Sequence, residues 1–416
     1  MQDSSIKTPE AAQPSKNDEE QDDSQTWQAL PVGSEHIIRS LAAEHIVHQL
    51  LNSIQQRENV RHDVIFRIVT EFPGVCHSLM EFVWEDGTSV RSLLPLHMVV
   101  CLKPPLKTVR AVYEANPDAI FVKESYKEAL PFALACSFEA SLDVVQFLYE
   151  KNQNAIATPR KDGVLPIHLA CGFYLGDPSI VNYLVDQNPE SATAICSITR
   201  WSPLHSACHG GVPDTALLER LLDLDTSMIN QPDTHGRTPL QLAARSKHGN
   251  SKTLDFLLRA SPPNLRGLEN FGEWEPLFLV ATHQNESTIA SFLDMLLTEF
   301  LPGRDVITNA TRGGASILHW AAIFNSASVV DYLATRFPEM LSNSDEQKDT
   351  PLSCGVANGA PNENIRVLIR HYPRGLLFKN AEGERPVDIA KRQRVRKDII
   401  DLLEQETTKF ALRIVS

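Results

Sequence analysis

The chain has 416 residues, 42% of them hydrophobic, and a formal net charge of −13. That length exceeds one ordinary globular core. The negative balance argues against broad affinity for nucleic-acid phosphate and fits either solubility or a partner with a basic surface. No apolar run reaches transmembrane length, and the polar N-terminus does not resemble a secretory signal.

Residues 1–26 carry Asp3, Glu10, Asp18, Glu19, Glu20, Asp22 and Asp23 against Lys7 and Lys16, with only Met1 and Ile6 clearly apolar beyond Ala. Such a stretch cannot bury enough surface to fold, so a disordered acidic tail is expected over 1–30. It reads as a solubilising leader rather than a docking tail. Residues 31–92 are expected to form a helical N-terminal capping region. Val47, Leu50, Leu51 and Ile54 fall at helical spacing behind Ser34 as N-cap. Val64, Ile65, Ile68, Val69 and Phe72 form a second pattern closed by Pro73-Gly74, so the region resembles a degenerate first repeat. His45 and His48 share a helix face without a third ligand, which favours a polar face over a metal site.

From residue 93 one block recurs. It is clearest as Leu165-Pro-Ile-His-Leu-Ala-Cys171 and Ser202-Pro-Leu-His-Ser-Ala-Cys208. Its anchors are Pro95, Pro131, Pro166, Pro203, Pro239, Pro276, Ile317, Pro351 and Pro386, spaced by 34 to 41 residues, a period that marks a solenoid. The residue after each anchor is apolar, from Leu96 to Val387, and the fourth after it is small or Val, from Val99 to Ala390. The first column supplies a core contact and the second lets neighbouring helices approach. Pro at a first helical position sacrifices no needed N–H, and Ser202 and Thr238 can cap. Lys161-Asp-Gly163, Thr234-His-Gly236, Arg312-Gly-Gly314 and Ala381-Glu-Gly383 place Gly where a turn needs positive φ.

The block resembles the Thr-Pro-Leu-His-x-Ala-Ala signature of ankyrin repeats. The resemblance covers about three quarters of the chain and implies an all-α, ankyrin-type α-solenoid of about nine helix-turn-helix repeats with short β-turn fingers over 93–416. The family usually places Gly-Ala after the second helix. This chain instead uses Asn116-Pro-Asp-Ala119, Asn188-Pro-Glu-Ser191, Phe337-Pro-Glu-Met340 and Tyr372-Pro-Arg-Gly375, read as stops of the second helix. The span from Pro276 to Pro302 exceeds its counterparts by about one helical turn, which predicts a longer second helix over Ile289–Phe300. His97, His168, His205 and His319 recur two residues past the anchor. The resemblance implies a structural role for them, tying one finger to the next, rather than metal binding or general-base chemistry.

Cys136, Cys171 and Cys208 occupy one column as small core residues, and the seven cysteines lack the spacing of a metal site, which points to structural thiols in a reducing compartment. Trp201 and Trp274 each stand two residues before an anchor, where Arg237 stands in another repeat. That position is expected partly exposed on the concave side, where large aromatics serve as interface anchors. Trp201, Trp274, Arg237 and Glu273 are therefore the candidate partner-binding residues. Trp320, inside a first helix, is expected in the core. Lys391-Arg-Gln-Arg-Val-Arg-Lys397 reads as a solvated face between two helices, with nuclear import as the alternative.

No phosphate loop, dinucleotide fingerprint, zinc-protease motif or serine elbow occurs. The expectation is a non-enzymatic scaffold or adaptor that binds another protein on the concave face, without cofactor or metal, as a cytoplasmic monomer. The alternatives are a substrate-receptor subunit docking through residues 34–72 and a nuclear regulator.

Overall fold

The computed structural model describes residues 34–51, 60–83, 89–172, 178–211, 215–261, 275–301 and 303–415. The acidic segment 1–30 and the candidates Glu273 and Trp274 lie outside them.

Each anchor opens a short helix. The first helices are Pro95–Val100, Pro131–Ser137, Pro166–Gly172, Pro203–Gly210, Pro239–Arg245, Glu275–His283, Ile317–Phe324, Pro351–Ala357 and Pro386–Arg392. Ser202, Thr238 and Thr350 cap the helices that follow them. Ser202 Oγ accepts from His205 N–H, and Thr238 Oγ1 accepts from Gln241 N–H while Gln241 Oε1 accepts from Thr238 N–H at 2.7 Å. The two repeating columns are buried throughout, including Leu96, Phe132, Ile167, Leu204 and Leu318 in one and Ala135, Ala207, Ala321 and Ala390 in the other. Burying one such Leu or Ile contributes about 2 kcal/mol, repeated at every step of the stack.

A longer helix follows in each repeat, such as Leu142–Lys151, Ala327–Arg336 and Asn362–His371, and Lys397–Val415 closes the chain. First helices stack on first helices and longer helices on longer helices, giving two layers with the fingers beside the first. The Pro motifs do end the longer helix, and they do more. Pro117–Phe121, Pro338–Ser342 and Pro373–Leu377 each make a further 3₁₀ turn, and Pro189–Thr193 a short α-turn, with Pro at its first position. The Asn before the Pro can then reach back one repeat, as Asn116 Nδ2 does to Cys76 O at 2.8 Å.

The long repeat takes up its excess after Glu286–Met295. Leu296–Phe300 continues the helix in a wider turn, with Leu301 N–H donating to Leu296 O at 2.8 Å. At the N-terminus, Ser34–Leu51 and His62–Glu71 are helical as expected. The remainder of that region adds an element absent from the helical expectation. Met80–Val83 and Ser89–Leu93 form an antiparallel hairpin with Met80 opposite Leu93. Alternating residues over a short run suit a strand pair, and here it delivers the chain to Pro95. His62–Glu71 packs on Leu106–Ala115, and His62 Nε2 donates to Leu102 O at 3.0 Å. Among the described residues, no helix is long and apolar enough to cross a membrane.

Candidate binding face

The fingers are turns closed by one backbone pair and fixed by a side chain. Asp233 N–H donates to Arg237 O at 2.9 Å, and the same pairing joins Asp345 to Asp349 and Asn380 to Glu384. In each, one side-chain oxygen accepts two backbone N–H groups. Asp233 Oδ1 takes those of His235 and Arg237 at 2.8 and 2.9 Å. Gly163, Gly236, Gly314 and Gly383 occupy the left-handed position of these turns at φ of 76–78°. Consecutive fingers are tied by backbone bonds, such as Thr234 N–H to Thr199 O at 3.1 Å.

The histidine column completes this frame. His97, His168, His205 and His319 are buried, and their Nε2 atoms donate to Val122 O, Trp201 O, Gln231 O and Asp349 O of the following finger at 2.8–3.0 Å. In His97, His205 and His319, Nδ1 accepts the backbone N–H of the cap residue. The neutral tautomer is thereby selected, and burial pushes all four pKa values down, His168 to about 4. These side chains are spent on the frame, not free for chemistry.

A second ladder binds the first helices together. Gln284 Nε2 donates to Ala244 O and Ser246 O, Asn325 Nδ2 to Ala281 O and Gln284 O, and Asn364 Nδ2 to Ala322 O and Asn325 O, all at 2.8–2.9 Å. Its members are all carboxamides, but they fall outside the recurring block, so that block does not mark them.

On this frame, a cavity of about 530 Å³ opens between the fingers and the ends of the first helices. Trp201, Val164 and Leu169 supply its apolar walls, and Gly172 and Gly210 lie among its lining residues. A Cβ on Gly210 would stand 2.4 Å from Gly172 O, so the two helices approach as closely as they do because Gly210 carries no side chain. His209 and His248 line the rim, and the His209 ring stands 5.1 Å from the Trp201 ring. Burial lowers the His209 pKa, and the guanidinium charges of Arg237 and Arg245 lower it further.

Trp201 is half-buried, and its Nε1 donates to Asp233 Oδ2 of the next finger at 3.1 Å. The indole is thus both braced on its neighbour and presented to the cavity. Arg237, 27% exposed, folds back onto Asp233, with Nε at 2.8 Å from Oδ2. Its charge stands beside Trp201 but is already paired. Asp233 is buried among these donors, and its pKa is held at about 2: burial opposes ionisation, but the bonds from Arg237, His235 and Trp201 outweigh it. Trp274 and Glu273, the other two candidates, lie outside the described residues.

Trp320 differs from its expectation. It is half-buried and lines a second cavity of about 300 Å³ with Phe278, Leu279, His283 and Phe324, at the same face of a later pair of first helices. Phe324, 61% exposed, stacks at 6.0 Å, and the Arg312 guanidinium stands 5.9 Å from the indole centroid. The anchor-plus-three position faces the fingers rather than the second layer of helices, which a core reading of a large aromatic overlooks. The indole Nε1 is shielded from solvent and has no hydrogen-bond partner among the described residues.

All seven cysteines are buried. In the basic run, Lys391 pairs with Glu404 at 2.6 Å, Arg392 with Glu384 at 2.8 Å and Arg396 with Asp398 at 3.7 Å.

The family model for ankyrin repeats (three copies) matches residues 167–266. The human transient receptor potential cation channel subfamily A member 1 is 40% identical over 100 residues, which are 24% of this chain and 8% of the channel. Ankyrin repeat-containing protein C6C3.08 of Schizosaccharomyces pombe is 32% identical over 132 residues, 31% of this chain and 52% of that protein. The chain therefore spans about half the length of one curated relative and a small part of the other. Among solved structures, the human ASB11 ankyrin repeat domain is similar at a TM-score of 0.43 and 20% identity, covering 58% of this chain and 98% of that one. The ankyrin repeat domain of Bcl-3 is similar at a TM-score of 0.39 and 23% identity, covering 58% of this chain and 99% of that one.

Proposed function

Because the chain is built of ankyrin repeats, we propose that it works as a non-enzymatic scaffold or adaptor that holds a partner protein on the face made by its fingers and first helices. The observation that carries this reading is the cavity of about 530 Å³ walled by Trp201, whose size suits a docked side chain or short segment. The frame around it is held by buried hydrogen bonds from one repeat to the next, so a partner meets a surface that needs little ordering. The four column histidines donate to backbone carbonyls of that frame, and the cysteines are buried with raised pKa values where a shift is resolved.

Residues 34–83 serve as the N-terminal cap in this reading, supported by the His62 and Asn116 bonds across the junction. Seven buried cysteines in small core positions fit a reducing compartment, so the cytoplasm is the proposed place of action. The ion pairs of Lys391, Arg392 and Arg396 support a solvated structural face for the basic run rather than an import signal.

The test is affinity capture with the intact chain and with a Trp201→Ala variant, compared by mass spectrometry alongside melting curves. Proteins held by the intact chain and lost from a still-folded variant support the reading. An identical set from both removes the cavity from the function.

A further inference from the structure

The proposed interaction face differs in charge from the rest of the molecule. The chain carries a formal charge of −13, and on the longer helices acids and bases are mixed, with Glu150 beside Lys151 and Asp186 paired with Arg220. Around the Trp201 cavity the balance is positive. Its three nearby carboxylates are each matched by a cation: Glu139 by Lys103 at 2.7 Å, Asp162 by Arg160, and Asp233 by Arg237 at 2.7 Å. Beyond these pairs stand Arg200, Arg245 and Lys247, all exposed and making no ion pair with any described residue. Arg245 lies near enough to His209 to depress its pKa, and Lys247 adjoins His248 on the rim. An apolar cavity thus opens within an excess of positive charge.

The Trp320 cavity lies farther along the same face. The helices Pro203–Gly210, Pro239–Arg245, Glu275–His283 and Ile317–Phe324 stack in succession. At the usual helix spacing, the two cavities are about 25 Å apart. An extended chain covers that in about eight residues.

We propose that this face binds an extended acidic segment of a partner protein, with one apolar side chain in the Trp201 cavity and a second, about eight residues away, in the Trp320 cavity. The proposal rests on the protein-binding reading above and names the partner's chemistry. Net charge alone points to a basic partner surface; the uncompensated cations at the cavity select the opposite. Apolar walls favour a peptide over a nucleic-acid backbone, whose phosphates would use the cations but leave both cavities empty. Two anchors on one chain also raise affinity beyond either alone, since the second binds at high effective concentration.

The test is a display selection of random 16-residue peptides on the full chain, followed by binding measurements on the recovered sequences. The expected peptides are rich in Asp and Glu and carry two apolar residues about eight apart. Their affinity falls at least tenfold in Arg245→Glu/Lys247→Glu, a surface change that leaves the melting temperature in place. It falls by a similar factor in Trp201→Ala and in Trp320→Leu, and it weakens as salt rises. Failure to recover peptides, recovery of basic ones, or indifference to the charge reversal overturns the proposal. Displacement by an oligothymidine makes the face a general polyanion site. Displacement by a synthetic peptide of residues 1–33 makes this chain's own acidic segment the occupant. Either result also overturns it. If proteins are captured through Trp201 while the selection fails, this inference falls and the protein-binding reading stands. If Trp201→Ala loses no captured protein, both fall.

Discussion

Trp201 Nε1 and Asp233 Oδ2 meet at 3.1 Å across the boundary between two successive fingers. The bond couples the side chain that walls the cavity to the one that closes the next turn. Asp233→Ala removes the acceptor of Trp201 Nε1, of Arg237 Nε and of two backbone N–H groups together. It is expected to cost about 2–4 kcal/mol and to loosen the indole, read by chemical denaturation and by a red shift of tryptophan emission. Because the folded pKa of Asp233, about 2, lies below its ordinary value, its contribution is present above about pH 4. It is lost as pH falls towards 2.

Protonating the buried histidines would place an N–H against the backbone N–H that Nδ1 now accepts at His97, His205 and His319. Their folded pKa values lie below the unfolded value, so the unfolded chain binds more protons and stability falls as pH drops from about 6.5. For His168, with a folded pKa of about 4, the loss between pH 7 and pH 5 is about 2 kcal/mol. Denaturation midpoints at the two pH values measure it, and His168→Gln should reduce the slope.

Two glycines separate conformation from space. Gly236 has φ 76° with nothing near an added Cβ, so Gly236→Ala should cost only about 1 kcal/mol. Gly210→Ala would drive a methyl group to 2.4 Å from Gly172 O and force the first helices apart. A loss of about 2–3 kcal/mol is expected, together with altered binding at the cavity. Comparing the two melting curves decides whether helix approach is the limiting contact.

Lys348 occupies the left-handed finger position at φ 58°, where Gly236 and Gly383 stand in other repeats. Lys348→Gly should therefore stabilise the chain by about 1 kcal/mol, away from the Trp201 cavity, without changing partner binding. A midpoint that falls instead would mean that the lysine side chain contributes more than the backbone strain costs.

All seven thiols are buried, and burial pushes those of Cys76, Cys171 and Cys354 up to about 12. Titration of the native protein with a thiol reagent at pH 7.5 should label few or none of them within minutes, and seven after denaturation. Rapid native labelling would indicate local opening of a repeat.

The repeat and its register were legible in the primary structure because each position in the block answers a local demand. Pro131, Pro166 and Pro203 suit a first helical turn, Ser202 and Thr238 cap, and Gly163 and Gly383 supply the left-handed backbone. The local charge beside the Trp201 cavity was not legible, because net charge sums over the molecule while the fold places Arg200, Arg245 and Lys247 near that cavity. Nor was the hairpin at Met80–Leu93 or the ladder of Gln284, Asn325 and Asn364, whose carboxamides fall outside the recurring block and whose partners lie 38 to 44 residues away. Local backbone preference determined the elements of this protein from its sequence alone. Which aromatic rings wall the cavities, and which cations stand beside them, was decided only when stacked repeats brought distant residues onto one surface.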